Sequence, residues 1–299
     1  MTETTMPTQS TADIARAYRA AKESRARRSA FLKHIFLIIT SLIMVYPLIW
    51  MLASSLKPDN EIFGDLSLWP SEFQWQNYWA GWNALPVSFT RFFWNSTVVT
   101  VLSVIGNVIS CSFAAYAFAR LEFSGKTLWF ALMMMTLMIP YHVVLIPQYM
   151  LFLNLSWVDT YLPLIVPRFL AGDAFFIFLM IQFFRQLPRE LDEAAMIDGC
   201  SPFKIYWAII MPLSLPAMAT AAIFSFIWTW EDFLGPLVYL NDIEDYTVPL
   251  ALRSFISSDG VSQYGPMFAM SILSILPIIL FFIIFQRLII RGIAMSGLK

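Results

Sequence analysis

Six long apolar runs set the main constraint on how this chain can fold. Each is about 20 residues or longer, the length an α-helix needs to cross a ~30 Å hydrocarbon core. Lipid cannot satisfy exposed backbone N–H and C=O groups, so the runs should be helical. The sequence therefore predicts an all-α membrane bundle of six transmembrane helices behind a polar N-terminal tail, residues 1–30. The predicted spans lie near residues 31–55, 92–119, 128–152, 160–184, 213–240 and 267–290.

Composition supports lipid as the main solvent and argues against several other classes of protein. Only 13% of the residues are charged and 59% are hydrophobic, whereas a soluble domain carries about 25% charge. A net charge of −1 gives no sign of a nucleic-acid partner. Cys111 and Cys200 have no metal-type spacing, and His34 and His142 are isolated. We therefore expect neither a metal site nor a catalytic site.

The basic residues predict how the spans are oriented. They concentrate before the first span, between the second and third, between the fourth and fifth, and after the sixth. The opposite face receives only Lys57, Arg91, Arg168 and Arg253. Because Lys and Arg are enriched in cytoplasmic loops, we expect a multi-pass protein of the cytoplasmic (inner) membrane with both termini in the cytoplasm.

The first external segment, residues 56–91, is rich in tryptophan and acidic residues. Its aromatic side chains fit an interfacial belt, in which tryptophan rings sit among the lipid headgroups. They also fit a docking surface for an external partner, and the sequence favours neither reading. The residues concerned are Trp69, Trp75, Trp79, Trp82, Asp59, Glu61, Asp65 and Glu72.

Residues 189–212, RELDEAAMIDGCSPFKIYWAIIMP, form a charged segment between two apolar runs on the predicted cytoplasmic side. Pro188 suits a helix start, and the acids that follow it complement the positive end of the helix dipole. Gly199 is a natural helix terminator because it adopts positive φ without a Cβ penalty. Ser201 and Pro202 then fit the N-cap and first position of a second helix. Two short helices with a sharp break are predicted, and Leu191, Ala194 and Ala195 should form one narrow apolar face on the first.

The spacing within this segment resembles a known motif. Glu193-Ala194-Ala195, three residues, Gly199, nine residues and Ile209-Ile210-Met211-Pro212 are similar to the EAA loop of ABC importer permeases, whose pattern is E-A-A, G and I-x-L-P. Met211 replaces the family's Leu, a volume-conserving change. The stretches SFAAYAFARLEFSGK, TLMIPYHVVLIPQY, PLALRSF and QRLIIRGIAMSGLK also look like carbohydrate-import permeases of the subclass of the maltose transporter's shorter permease.

The resemblance implies a subunit that couples to ATP hydrolysis without performing it. The EAA helix of such permeases docks in a cleft of a cytoplasmic ATPase subunit; here the docking residues would be Glu193, Ala194, Ala195, Met196, Asp198 and Gly199. The C-terminal residues Ser296, Gly297, Leu298 and Lys299 would reach between the two ATPase subunits. The sequence has no G-x-x-x-x-G-K-[ST] loop, so ATP and Mg²⁺ should belong to the partner. The other implied partners are a second permease, an external solute-binding protein and membrane lipid.

Polar residues inside apolar runs are candidates for the substrate path, because burying them in lipid is costly. The candidate set is Trp228, Trp230, Glu231, Asp232, Asn107 and Gln148. Relatives commonly have Asn at the position of Glu231. Arg168, Gly172 and Asp173 interrupt the fourth run, where an internal ion pair or a break in the span is a better expectation than a sugar contact.

Three other functions remain open at this point. An importer of the same class could carry a polyol or a glycerophosphodiester in place of a sugar. A secondary transporter should show an inverted repeat or paired broken helices, and no convincing repeat is visible. An integral membrane enzyme would need clustered His, Cys or acidic groups, which two isolated histidines do not provide.

Overall fold

A computed structural model describes residues 11–65, 67–256 and 263–296. Within these ranges the chain is helical, with short turns and no strand. The helices are α1 Thr11–Ser54, α2 Asp59–Ile62, α3 Gln76–Asn83, α4 Phe89–Arg120, α5 Lys126–Thr136, α6 Tyr141–Asn154, α7 Leu162–Ile165, α8 Ala174–Phe184, α9 Glu190–Ile197, α10 Pro202–Ile205, α11 Met211–Leu213, α12 Leu215–Trp230, α13 Leu234–Tyr239, α14 Val248–Arg253 and α15 Tyr264–Ser296. Val166–Leu170 and Ile243–Asp245 are 3₁₀ turns, and Tyr206–Ile210 is a π-helical turn. The predicted all-α membrane fold is confirmed.

Four segments of the described residues are long and apolar enough to cross a membrane by themselves. They are Ser29–Ser54, Phe89–Arg120, Leu162–Phe184 and Tyr264–Leu288. Two further spans are possible only as bent pairs, α5 with α6 at 99° and the α10–α11 segment with α12 at 77°. The described residues thus contain four to six spans.

Three of the six apolar runs do not form single straight helices. The run 160–184 divides into α7, a 3₁₀ turn and α8, at the interruption that its polar residues predict. The run 128–152 breaks between Thr136 and Tyr141, because proline disfavours helical backbone at the residue before it and Ile139 precedes Pro140. The run 213–240 breaks after Trp230 and resumes as α13. Hydrophobicity alone could not locate the last two breaks.

Helix α4 is the central element of the bundle and carries a hydrophobic core at each end. At its Arg120 end, Cys111, Ala115 and Tyr116 pack against Met180 of α8 and Tyr206 of the π-helical turn. The Phe89 end of α4 packs instead against α12, α14 and α15, through Phe89, Phe92, Phe226, Trp230, Val248 and Met270. The two ends of the molecule are thus joined by one 32-residue helix.

The external aromatic segment keeps most of its tryptophans on the surface. Trp69, Trp75 and Trp79 are at least 66% exposed. Beneath them, the buried Lys57 donates hydrogen bonds to the carbonyl oxygens of Asp65 and Ser67. Hydrogen bonds from the Ser67 amide and hydroxyl lower the pKa of Asp65. The segment is therefore ordered by polar contacts while its rings face outward.

Candidate functional site

The EAA segment, which we define as residues 189–212, contains the two helices and the break that its sequence indicates. Helix α9 begins at Glu190, two residues after Pro188, and Gly199 follows its end with φ +77°. The Cys200 amide donates to the Ala195 carbonyl at 2.9 Å and the Gly199 amide to Met196 at 3.0 Å. These bonds satisfy carbonyls that a helix C-terminus leaves free. The Ser201 side chain caps α10 by accepting from the Lys204 amide.

One of the three residues of the apolar face predicted for α9 is turned into the bundle. We expected Leu191, Ala194 and Ala195 to share one face, but Ala195 is buried against the bundle while Leu191 and Ala194 are exposed. The second buried residue of α9 is Asp192, one turn before Ala195. The reason is electrostatic, because the Asp192 carboxylate has a buried partner that fixes this face inward.

That partner is Arg120, the last residue of α4. An Arg120 guanidinium nitrogen lies 3.0 Å from an Asp192 carboxylate oxygen, and the two side chains are only 3% and 11% exposed. The guanidinium also donates to the carbonyls of Phe184 and Leu187, at 2.7 and 2.8 Å. One side chain therefore joins the end of α4, the end of α8 and the EAA segment.

The second half of the EAA segment is fastened to α4 by two further hydrogen bonds. The Tyr116 hydroxyl donates to the Pro202 carbonyl at 3.0 Å, and the Ser112 and Tyr206 hydroxyls lie 2.7 Å apart. The π-helical turn follows, and the chain then bends by 77° into α12. Such turns often occur at functional sites.

What remains exposed on α9 is a contiguous surface made of residues that the EAA motif singles out. Glu193, Ala194, Met196 and Asp198 are exposed, as are Ile197 at 86% and Gly199. Met196 and Ile197 add exposed apolar area beside the acidic side chains of this surface. Five of the six residues predicted to dock on an ATPase are therefore exposed together, whereas the sixth, Ala195, is buried against the bundle.

A cavity of about 560 Å³ lies along α4, within the bundle. Its walls come from α4, the α5–α6 bend, the interrupted segment 163–174, and the region from Thr229 to Thr247. The polar residues among those lining it are Ser96, Thr100, Asn107, Thr136, Tyr141, Gln148, Arg168, Asp173, Thr229, Asp232, Tyr239 and Thr247. The volume falls in the range typical of small-molecule sites.

The interrupted segment of the cavity wall contains both features expected for it, an ion pair and a break. Arg168 lies 3.4 Å from Asp173, and Ala171 between them has φ +52°. The hydroxyls of Ser103 and Ser110 on α4 donate to the carbonyls of Leu164 and Arg168, which holds the non-helical backbone in place. Irregular backbone at such a place is tolerated where it is buried in protein or lines a cavity.

The candidate path residues divide into two groups in the structure. Asn107, Gln148 and Asp232 line the cavity. The Asn107 amide donates to Ser225, and Asp232 accepts from the Gly235 amide. Gln148 is half-buried.

The other three members of the set lie elsewhere. Trp230 is 4% exposed, stacks on Phe226 and donates to the Ser274 carbonyl at 2.9 Å, so it is part of the core. Trp228 packs against Phe175 and Phe176, and Glu231 is exposed. Sequence reasoning could not separate these from the cavity residues because all six lie in or beside apolar runs.

Two further points concern the remaining predicted residues. Ser296 is the last residue of α15, whereas Gly297, Leu298 and Lys299 lie outside the described residues. Within the described residues, no group of three or more His, Cys, Asp or Glu side chains could hold a metal ion.

Comparison with known proteins shows which family this arrangement belongs to. Residues 106–295 match the family described as "Binding-protein-dependent transport system inner membrane component". The matched region includes the whole EAA segment and most of the cavity wall. The chain belongs to this family, the membrane-embedded permease subunits of ABC importers.

Individual relatives support the same assignment. The chain is 30% identical to the diacetylchitobiose uptake system permease protein NgcG of Streptomyces coelicolor, over 93% of this chain and 92% of the relative. It is 32% identical to the sn-glycerol-3-phosphate transport system permease protein UgpE of Yersinia enterocolitica, over 88% and 95%. A crystal structure of a bacterial ABC transporter that imports the acidic polysaccharide alginate superposes with a TM-score of 0.75 at 21% identity, covering 94% of this chain and 99% of that chain.

Family membership excludes two of the three other functions left open by the sequence. The chain is a multi-pass transport component of an ABC importer, neither an enzyme nor an ion-coupled secondary transporter. A permease of this kind works with a second permease subunit, an ATPase and a binding protein.

Proposed function

We propose that this chain forms half of the membrane path for a sugar or oligosaccharide delivered by an external binding protein. The observation that carries the proposal is the EAA segment, in which a motif of importer permeases has an ordered break and an exposed outer face. The carbohydrate substrate is supported by the diacetylchitobiose permease among the relatives and by the sequence stretches that resemble carbohydrate importers.

The proposed complex places the EAA segment against a cytoplasmic ATPase dimer. Both termini of the chain are then cytoplasmic, as the distribution of Lys and Arg favours. Glu193 supplies a negative charge to a basic residue of the ATPase, and Met196 and Ile197 supply apolar contact. ATP and Mg²⁺ are held by the ATPase, and the proposed C-terminal contact to it is made by Ser296, Gly297, Leu298 and Lys299.

The cavity is the proposed part of the path that this subunit contributes. Its walls combine the Gln148 amide, the Asp232 carboxylate and the Tyr141 hydroxyl with apolar surface. Sugars are recognised by groups that donate and accept hydrogen bonds, together with apolar faces. Substrate released from the binding protein would cross the bundle beside α4.

Purification of the chain from its native membrane in mild detergent tests the proposal. We expect a second permease and an ATPase dimer to co-purify, and the reconstituted complex with its binding protein to take up a radiolabelled sugar in an ATP-dependent manner. Recovery of the chain alone, under conditions that preserve a known ABC importer, would contradict it.

A second candidate substrate class is favoured by one specific relative, the sn-glycerol-3-phosphate permease at 32% identity. The same vesicles would distinguish the two classes. Uptake of sn-glycerol-3-phosphate without uptake of diacetylchitobiose or other neutral oligosaccharides would replace the carbohydrate assignment while leaving the importer intact.

A further inference from the structure

The buried contact between Arg120 and Asp192 suggests how movement of the EAA segment reaches the membrane helices. Arg120 contacts three elements at once: it ends α4, it donates to the last carbonyl of α8 and to the Leu187 carbonyl just beyond α8, and it pairs with α9. Helix C-termini leave carbonyls unsatisfied, and a cation there complements the helix dipole. The arginine therefore binds α8 through its backbone and α9 through a side chain.

The Arg120–Asp192 ion pair fixes the orientation of α9 more than it stabilises the fold. Arg120 Nε and Asp192 Oδ1 have no hydrogen-bond partner among the described residues, although both atoms are buried. Burying an ion pair costs desolvation, and well-packed apolar side chains often replace such a pair without loss of stability. What apolar side chains cannot reproduce is the planar, directional fork that fixes one orientation of α9.

The two helices that Arg120 joins lead directly to the cavity. Helix α8 has 11 residues and is about 16 Å long; Asp173 and Ala174 at its far end line the cavity. On α4, Asn107 lines the same cavity, about 20 Å along the helix from Arg120. Movement of α9 would thus reach two walls of the cavity through the helices α4 and α8.

The covalent route from α9 towards α12 is less direct. It passes through the positive-φ Gly199, the π-helical turn and the 77° bend at Ser214. Each of these is a place where helical hydrogen bonding is interrupted, so a displacement can be absorbed there by changes in backbone dihedral angles. The connection through the Arg120 and Asp192 side chains is therefore stiffer than the covalent route from α9 to α12.

We propose that Arg120 and Asp192 are positioning residues that hold α9 rigidly to α4 and α8, so that displacement of α9 moves both walls of the cavity together. The inference rests on the proposed function, because it assumes that an ATPase moves α9. It adds to that function a specific mechanical connection outside the docking surface.

The test uses the complete transporter, reconstituted with its ATPase, second permease and binding protein. Asp192→Asn removes the charge and keeps the side-chain size. We expect this variant to assemble and to hydrolyse ATP, with the amount of sugar moved per ATP falling by about tenfold, a usual size for coupling between sites. Asp192→Glu, which restores the charge, should recover part of the loss.

The matched control is Glu122→Gln, which breaks the exposed Lys126–Glu122 pair at the same end of α4. This variant should transport as the wild type does. Normal transport per ATP in Asp192→Asn would overturn the proposal, as would loss of the ATPase from that variant, because the pair would then only shape the docking surface. Failure of the wild-type complex to assemble or take up sugar would instead count against the proposed function.

A second measurement applies even if Asp192→Asn fails to fold. Two spin labels are placed in a Cys200→Ser background, one at the exposed Glu190 of α9 and one at Leu170 before α8. Pulsed EPR then reports the distance between α9 and the start of α8, across the Arg120–Asp192 contact. We expect one narrow distribution, unchanged between the nucleotide-free and ATP-bound transporter. A shift or broadening with nucleotide in the wild type overturns the proposal. If Asp192→Asn does fold, its distribution should be broader.

Discussion

The EAA segment and the cavity are built in opposite ways. The EAA segment is a short continuous stretch whose helix ends are marked by residues within it, such as Gly199 and Ser201. The cavity collects side chains from residues 96 to 247, brought together by several helices and the breaks between them. Local signals thus define the surface that we propose receives force from the ATPase, and tertiary packing defines the space through which a substrate would pass.

This difference predicts that damage to the EAA segment affects coupling, whereas damage to the cavity affects substrate passage. The largest effect should come from Gly199→Val. No atom lies within 4 Å of a Cβ added there, so the cost is purely that of positive φ, which a β-branched residue strongly disfavours. We expect uptake near background and weak ATPase co-purification.

Gly199→Asn is the matched comparison, since asparagine tolerates this backbone region. It should retain most of the uptake. Equal uptake by the valine and asparagine variants would show that the left-handed break is not needed for docking.

Reversal of one exposed charge on α9 should have the next largest effect. Glu193→Lys replaces an attractive contact with a like-charge contact at the proposed docking surface, which would cost a few kcal/mol. We expect normal insertion and about 10- to 100-fold slower uptake, measured in vesicles at matched expression. Glu122→Lys, at an exposed position near the same end of α4, should change uptake far less. Wild-type uptake by Glu193→Lys would refute the role of this residue.

In the cavity, Gln148→Leu should slow passage of substrate without uncoupling. The change keeps the volume and removes one hydrogen-bonding group, worth about 1 kcal/mol. We expect uptake at saturating loaded binding protein to fall by about fivefold, with sugar moved per ATP maintained. Tyr149→Phe, one residue away but outside the cavity lining, should behave as the wild type. If the Gln148→Leu variant moved less sugar per ATP, the division of roles between the EAA segment and the cavity would be wrong.

The smallest effect on transport is expected for Trp230→Phe. Trp230 is in the core and its indole N–H donates to Ser274, so the change should lower thermal stability of the purified complex by about 1 kcal/mol. Uptake should change less than about twofold, because no cavity contact is lost. If this variant transported a different set of sugars, Trp230 would belong to the substrate path after all.

Sequence reasoning was most accurate where structure depends on neighbours along the chain. It predicted an all-helical membrane bundle from apolar runs, and both helices of the EAA segment from Pro188, Gly199 and Ser201. It placed Leu191, Ala194 and Ala195 on one apolar face that another protein could approach, but Ala195 is buried against the bundle. The reason is that Arg120, 72 positions before Asp192 in the chain, holds the Asp192 side of α9 inward. From the sequence alone, an acidic residue in the first turn of a helix is interpreted as complementing the helix dipole. Its pairing with a cation far away in the chain becomes visible only in the structure.

The same limit explains the divided outcome for the path residues. Asn107, Gln148 and Asp232 were grouped with Trp228, Trp230 and Glu231 because all are polar or amphipathic residues in or beside apolar runs. Which of them line a cavity depends on the break after Trp230 and on the bend between α5 and α6, which rotate successive side chains to different surroundings. Hydrophobicity reports how much of a segment avoids water, and it carries no information about which neighbour each side chain meets.

The sequence by itself determined the membrane-embedded helical class, the family motif and the location of the helix break at Gly199. These follow from backbone hydrogen bonding in lipid and from the conformational freedom of single residues, both of which act locally. Only the tertiary structure decided that Asp192 faces inward to Arg120 and that residues from four separate parts of the chain enclose one cavity. Contacts between distant residues arise from how helices pack, and packing depends on the shape and charge of all the surfaces that meet.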